Sequence, residues 1–251
     1  MSSIDINCDL GESFGHFIMG NDDAVFPYIS SCNIACGFHG GDPLHIENTI
    51  KKALKHKVQI GAHPSYPDLA GFGRRKIILS AEELKASIKY QIAALKGMVE
   101  SLGGKLNYIK AHGALYNSIA HDKDEAKTFL AAVKEINPDF GILGLAGSPF
   151  QDITENQGFR FIREGFLDRR YQEDGSLMAR KEKGSVLETV EESLNQFKSI
   201  SNKGEVETAN GKVIPMKVDS LCIHGDNPLA GEILKIIYRS SDDITIKPFQ
   251  Q

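Results

Sequence analysis

Short β-like runs alternate with capped helical patterns along the whole sequence, and this alternation restricts the fold more than any other feature. The strand candidates are Ile4–Cys8, Cys32–Cys36, Val58–Ala62, Tyr108–Ala111, Gly141–Ala146, Arg160–Glu164 and Ser220–Ile223, each bounded by Gly, Pro, Asn or Asp. The helices between them are marked by their starts. Asp42 precedes Pro43, Ser80 and Glu83 have capping-box spacing, and Ser185 with Glu188 offers a similar pair. "SPFQDI" and "NPLAGEILKIIYR" repeat the cap-then-proline start, and "EVETANGKVIP" reads as a hairpin turning at Asn210-Gly211. Repeated strand–helix exchange means parallel strands with helices outside, as a closed barrel or an open doubly wound sheet. Either fold places ligands at the carboxyl ends of the strands.

Strand parity favours the barrel. Residues two apart share a face. Ile4, Ile6 and Cys8 oppose Asn7 and Asp9; Cys32, Ile34 and Cys36 oppose Asn33 and His39. Val58, Ile60 and Ala62 oppose Gln59, Gly61 and His63, and Ile109 and Ala111 oppose Tyr108, Lys110 and His112. Leu221 and Ile223 oppose Ser220, Cys222 and His224. One face of each strand suits a helical shell and the other is polar, whereas a doubly wound sheet is more often apolar on both faces.

Four of the eight histidines, His39, His63, His112 and His224, end such runs and so fall on one rim. Imidazole titrates near neutral pH and also binds transition metals, so the group suits acid–base work or a cation. Asp9 and Glu12 follow the first strand on the same rim. Lys110 on an inner face must pair with an acid such as Asp9 or Glu164, or steady a developing oxyanion. The loop "PSYPDLAGFGRR" carries Arg74 and Arg75, suited to clamping a carboxylate or phosphate. Asp168, Arg169 and Tyr171 in "EGFLDRRY", and Asp226 in "HGDNP", are second candidates with simpler pairing or capping roles available. HExxH, zinc-finger spacing, GxxxxGK[ST] and an N-terminal Rossmann fingerprint are all missing.

At 251 residues, 41% hydrophobic and 25% charged, the chain has ordinary globular composition, and without a linker-like tract it reads as a single barrel domain over 1–251. A net charge of -4 argues against nucleic-acid or membrane-surface binding. The first residues lack a signal-peptide pattern, giving a cytoplasmic expectation. Cys8, Cys32, Cys36 and Cys222 form no CxxC and are expected to be buried, reduced thiols.

The segments "DINCDLGESFG", "SSCNIACGFHGGDP", "IGAHPSYPDLAGFGRR", "YQIAALKG", "KAHGALYN", "DRRYQEDGSLMAR" and "CIHGDNP" together resemble the LamB/YcsF family of lactam-utilisation proteins. Ala111 departs from the family, which usually has proline there. The resemblance implies an α/β fold: a distorted, roughly seven-stranded parallel β/α barrel similar to the glycoside hydrolase/deacetylase superfamily. It also implies ATP-dependent hydrolytic opening of 5-oxoproline (pyroglutamate) to L-glutamate, with ATP as co-substrate. Two further 5-oxoprolinase subunits, of B and C type, would be partners. In that chemistry Asp9, His39, His63, Lys110 and His112 are the expected catalytic residues, with Asp9 as base. Asn7, Glu12, Arg74, Arg75, His224 and Asp226 are expected to bind substrate. Asp9, His39 and His63 are the candidates for a divalent metal. The alternatives are a stand-alone metal-dependent deacetylase or amidohydrolase, and a non-catalytic lactam-binding subunit.

Overall fold

The computed structural model describes residues 2–240 and 244–249. Its strands are β1 (Ser2–Leu10), β2 (Ser31–Ala35), β3 (Gln59–His63), β4 (Leu106–Lys110), β5 (Gly141–Leu145), β6 (Phe161–Phe166), β7 (Glu205–Glu207), β8 (Val213–Pro215), β9 (Ser220–Ile223) and β10 (Ile244–Ile246). Its α-helices are α1 (Asp22–Val25), α2 (Pro43–His56), α3 (Ala81–Ser101), α4 (Gly113–His121), α5 (Lys123–Ile136), α6 (Phe150–Asn156), α7 (Val190–Lys198) and α8 (Ala230–Ser240). Strands β1 to β6 and β9 pair in parallel in the order β1-β2-β3-β4-β5-β6-β9, and β9 returns to β1, closing a seven-stranded barrel. The closing register sets Asp5 opposite Ser220 and Cys8 opposite Ile223. β10 adds to the first residues of β1. β7 and β8 form the expected hairpin outside the barrel, with Gly211 in the left-handed region of its turn.

All seven expected strands are present, and the parity read for five of them, β1 to β4 and β9, holds. Ile6, Cys8, Ile34, Ile60, Ile109 and Ile223 are buried in the core between barrel and helices, and Ala111 belongs to the same core. Inside, the lower barrel is apolar: Tyr108, Leu143 and Ile162 cluster with Phe249, whose ring meets the Tyr108 ring edge-on at 5.1 Å between centroids. Above them lies a buried polar layer. Asn33 donates to Asn7 (2.7 Å) and to Asp9 (2.8 Å), Tyr108 donates to Asn33 (2.8 Å), and Asn7 donates to Ser220 (2.8 Å). Each of these buried donors finds an acceptor, which is what makes a polar barrel interior tolerable.

The helix starts follow the caps at α2 and α3, but α6 starts at Phe150 with Pro149 at its N-cap position and no side-chain cap, the Ser148 hydroxyl donating to the Leu145 carbonyl instead. Asp42 caps α2, accepting from Leu44 and His45, and Ser80 and Glu83 form a reciprocal capping box on α3. α7, however, starts at Val190 with Thr189 and Glu192 as its capping box, not at Ser185. Ser185 is buried and donates to the Arg180 carbonyl within the loop after β6. The same spacing recurs four residues later, where the chain is free to turn into the helix. The four cysteines are buried and unpaired, and burial pushes their thiols up. Among the described residues no helix is long and apolar enough to cross a membrane.

Candidate active site and cation cluster

The carboxyl ends of the strands surround a cavity of about 910 Å³, lined in part by Asp9, His63, Arg74, Lys110, His112 and His224. Asp9 and Lys110 both reach it from inner faces of the barrel. Lys110 Nζ donates to Asp9 Oδ1 at 2.8 Å and lies 2.9 Å from Glu164 Oε1 and 3.2 Å from Cys222 Sγ. The pairing expected for Lys110 is therefore made with both acids at once. The ammonium still lies against the cavity, with the Phe166 ring 5.6 Å away. Burial opposes its charge, but Asp9 and the neighbouring anionic groups outweigh that and keep Lys110 firmly protonated.

Asp9 Oδ1 is held by Lys110 and Asn33, and Oδ2 lies 3.3 Å from His63 Nε2. Burial alone would raise this carboxyl, but the His63 ring and the Lys110 ammonium hold it well below the usual carboxylate range. A general base works best with a pKa near the working pH. Asp9 is thus better suited to anchoring Lys110 and orienting the His63 ring than to taking a proton from water.

Behind the cavity wall, Glu12, His39, His63 and His112 converge, each offering one ligand atom, with all four atoms within 4.8 Å of one another. Glycines permit this approach. A side chain at Gly40 would meet the Glu12 carbonyl at 2.6 Å, and one at Gly73 would meet His112 Cδ2 at 2.7 Å and His39 Cβ at 2.9 Å. His39 stacks on His112 with centroids 3.6 Å apart, and His39 Nε2 is 3.1 Å from Glu12 Oε1.

The tautomers are legible from the outer partners. His63 Nδ1 donates to the Lys110 carbonyl (2.9 Å), and His112 Nε2 donates to the Phe72 carbonyl (2.9 Å). In the neutral rings this leaves His63 Nε2 and His112 Nδ1 as lone pairs, and they face each other at 3.0 Å. Two lone pairs at that distance repel unless a proton or metal cation lies between them. Carbonyl-oriented imidazoles are also the usual outer support of metal ligands. Burial pushes His39 and His112 well down, which keeps them neutral and ligand-competent. Burial and the Asp9 charge push Glu12 up to about 8, so it holds a proton until a cation displaces it. The residues therefore fit a divalent metal. The fitting set is Glu12, His39, His63 and His112, with Asp9 at its edge rather than in it. His39 is the least constrained member, because its Nδ1 is buried without a partner.

His224 also lines the cavity. Its Nδ1 is 2.9 Å and 3.1 Å from the two carboxylate oxygens of the fully buried Asp168, and its ring stacks on Phe166. Burial would raise Asp168, but the His224 charge and hydrogen bonds hold it at about 2. This is an aspartate-oriented imidazole with its other nitrogen free for a ligand, a pairing suited to proton transfer. Asp168 had a simpler role available on sequence grounds, since nothing in the sequence brings it next to a residue 56 positions away.

The remaining expected site residues divide. Arg74 lines the cavity, lies over the Phe72 ring at 4.8 Å and pairs with Asp226. Asp226 also accepts from Arg180 at 3.0 Å, so it serves to hold two arginines rather than to meet a substrate directly. Arg75 does not reach the cavity: its guanidinium is bound to Asp68 while most of the side chain faces solvent. Loop residues have no face parity, so adjacency in sequence could not separate Arg74 from Arg75. Asn7 is fully buried in the polar layer beneath the cavity and has no access to a ligand.

The LamB/YcsF family model matches residues 4–251. The chain is similar to the A-type subunit of 5-oxoprolinase from Bacillus cytotoxicus, at 45% identity over 96% of this chain and 95% of that one. It is also similar to the A-type subunit of 5-oxoprolinase from Acinetobacter baumannii, at 45% identity over 98% of both chains. The crystal structure of a lactam utilization protein from Thermus thermophilus superimposes with a TM-score of 0.91 at 36% identity, covering 98% of this chain and 100% of that one. The shared barrel and the match along nearly the whole sequence place this chain in the LamB/YcsF family.

Proposed function

We propose that this chain performs the ring-opening step of an ATP-dependent 5-oxoprolinase, converting 5-oxoproline to L-glutamate together with two further subunits of B and C type. The observation that carries the reading is a cavity holding the Lys110–Asp9 pair, the histidine cluster and the His224–Asp168 dyad, in a chain 45% identical to relatives named as the A-type subunit of 5-oxoprolinase.

A five-membered lactam is an unreactive amide, and coupling to ATP drives it open. Attack of the lactam oxygen on the γ-phosphorus of ATP breaks the bond to ADP and leaves an O-phosphorylated imidate. That step is assigned to the complex, since this chain has no P-loop to hold the nucleotide. The barrel then receives the activated ring. Arg74 holds an anionic group of the activated substrate, its carboxylate or its phosphoryl, and Lys110 steadies negative charge building on oxygen. Water adds to the ring carbon and gives its proton to an imidazole of the His63–His112 pair. The C–N bond breaks as His224 protonates the departing nitrogen, leaving γ-glutamyl phosphate, and a second water releases phosphate. In place of that proton transfer, a divalent metal held by Glu12, His39, His63 and His112 would occupy both imidazole lone pairs and supply Lewis acidity to a bound water.

The decisive measurement is glutamate formed from 5-oxoproline, with and without ATP and the partner subunits. Activity is expected only when all are present. In the full complex, a folded Asp9→Asn variant is expected to lose kcat by about 100-fold or more, through loss of the Lys110 and His63 anchor; a full rate would reject Asp9's part in the site. The histidine–glutamate cluster also favours a second reading, a metal-dependent amidohydrolase acting alone. Amide hydrolysis by the isolated chain with added Zn²⁺ or Mn²⁺ and no ATP would establish it in place of the first.

A further inference from the structure

The loop from 167 to 189, between β6 and α7, forms one wall of the cavity and brings a charge that the proposed chemistry has not used. Arg169 is 6% exposed and lines the cavity. Its Nη2 donates to the Met178 carbonyl at 2.6 Å and its Nε to the Ser185 carbonyl at 3.4 Å. Neither partner carries a charge, and among the described residues no carboxylate forms an ion pair with it. Asp168, its neighbour in sequence, is committed to His224. A buried guanidinium without an acid is costly unless something anionic comes to it.

Arg169 is not alone. Arg180, from the same loop, and Arg74, from the loop after β3, both line the cavity and share the single carboxylate of Asp226. Arg74 and Arg180 both donate to Asp226 Oδ2, which sets their guanidiniums side by side, and burial and these two charges press the Arg169 guanidinium down against the opposing pull of Asp168 and Tyr171. Asp226 answers one of the three charges, and Asp168, close to Arg169, is shared with His224, so the wall remains net positive. A phosphoryl dianion brings two charges and accepts from several guanidinium forks at once, where a carboxylate brings one.

We propose that Arg169, Arg180 and Arg74 form a phosphoryl-binding subsite on the cavity wall, with Arg169 as its buried anchor. The catalytic meaning of the subsite rests on the ring-opening reading, but its existence does not. In that reading it holds the phosphoryl group carried on the activated substrate, or the phosphate released from it.

Isothermal titration of the full chain with inorganic phosphate, and separately with acetyl phosphate, tests this at fixed ionic strength. Wild type is expected to bind both. Arg169→Gln and Arg180→Gln are each expected to weaken phosphate at least about tenfold, while Arg169→Lys retains part of the affinity. Arg169 also supports two loop carbonyls, so Arg180→Gln, whose guanidinium donates to the Asp226 carboxylate instead, is the cleaner variant. Acetyl phosphate bound about tenfold more tightly than phosphate identifies the group while still on an acyl carbon; equal affinities identify the released product. No phosphate binding by wild type, or unchanged affinity in Arg180→Gln, overturns the subsite. If phosphate binds as expected and the complete complex forms no glutamate, the ring-opening reading fails and the subsite stands.

Discussion

His63 gives one nitrogen to the Lys110 carbonyl and His112 gives one to Phe72, so the nitrogens left over meet as electron pairs 3.0 Å apart. At the scale of single residues this is the firmest chemical statement the molecule makes, and it yields a direct prediction. Titration with Zn²⁺ or Mn²⁺ to about 100 times Kd is expected to stabilise the protein by about 2.7 kcal/mol, a rise in melting temperature of roughly 5–10 °C. His112→Asn should abolish the rise. An unchanged melting curve in wild type would mean that a proton, not a metal, separates the two rings. Sequence parity anticipated that His63, Lys110 and His112 point inward, because alternation within a strand leaves little choice. It could not place Glu12, which lies beyond the end of β1, nor tell Arg74 from Arg75, because loop residues follow no period.

At the scale of elements, the helices were legible where the cap is local and hidden where it is not. Asp42 does two jobs: Oδ1 accepts from Leu44 and His45 at the start of α2, and Oδ2 accepts from Gly15 in the loop after β1 at 2.8 Å. Asp42→Ala is expected to cost about 1 kcal/mol by urea unfolding and to speed hydrogen exchange at the Gly15 amide. A loss of stability without faster exchange at Gly15 would confine its role to the helix. The Ser185 and Glu188 pair has the spacing of a capping box but lies within the loop that carries Arg169 and Arg180, where the Ser185 carbonyl accepts from the Arg170 amide and its hydroxyl donates to the Arg180 carbonyl. Asp168, Arg169 and Tyr171 stood out in that loop only as second candidates, because its order comes from contacts distant in sequence: the bridge of Arg169 with Val186 and those of Tyr171 with Leu177 and Thr208.

At the scale of the molecule, the strand count, the parallel order and the polar interior were all readable, since seven repeated units with one polar face leave few arrangements. What parity did not give was the seam. Asp5 lies there, buried, accepting from Ser30 (2.6 Å), Ser31 (2.7 Å) and Ser220, and thereby tying β1 to both its neighbours. Burial, partly offset by these hydroxyls, pushes its carboxyl up to about 6. A raised carboxyl favours the protonated fold, so this contribution is fully present below the ordinary value of 3.8 and is lost as pH rises through about 6. The change amounts to about 3 kcal/mol. Asp5→Asn should flatten this part of the stability–pH curve, measured by urea unfolding between pH 4 and about 7; a slope unchanged in the variant would assign it to other groups.

The seam joins the first strand to β9, some 215 residues later in the chain. During synthesis β1 leaves the ribosome with one edge that stays bare until residues 220–223 follow it. For most of that time the nascent chain is an open, growing sheet whose first strand waits for a partner not yet made. Closure of so long a loop makes folding slow and late, and an exposed parallel edge invites pairing with other chains. The same closure that assembles the histidine-lined rim therefore leaves the newborn protein prone to association until it is complete, and makes any truncation short of β9 a hazard to solubility rather than a smaller barrel.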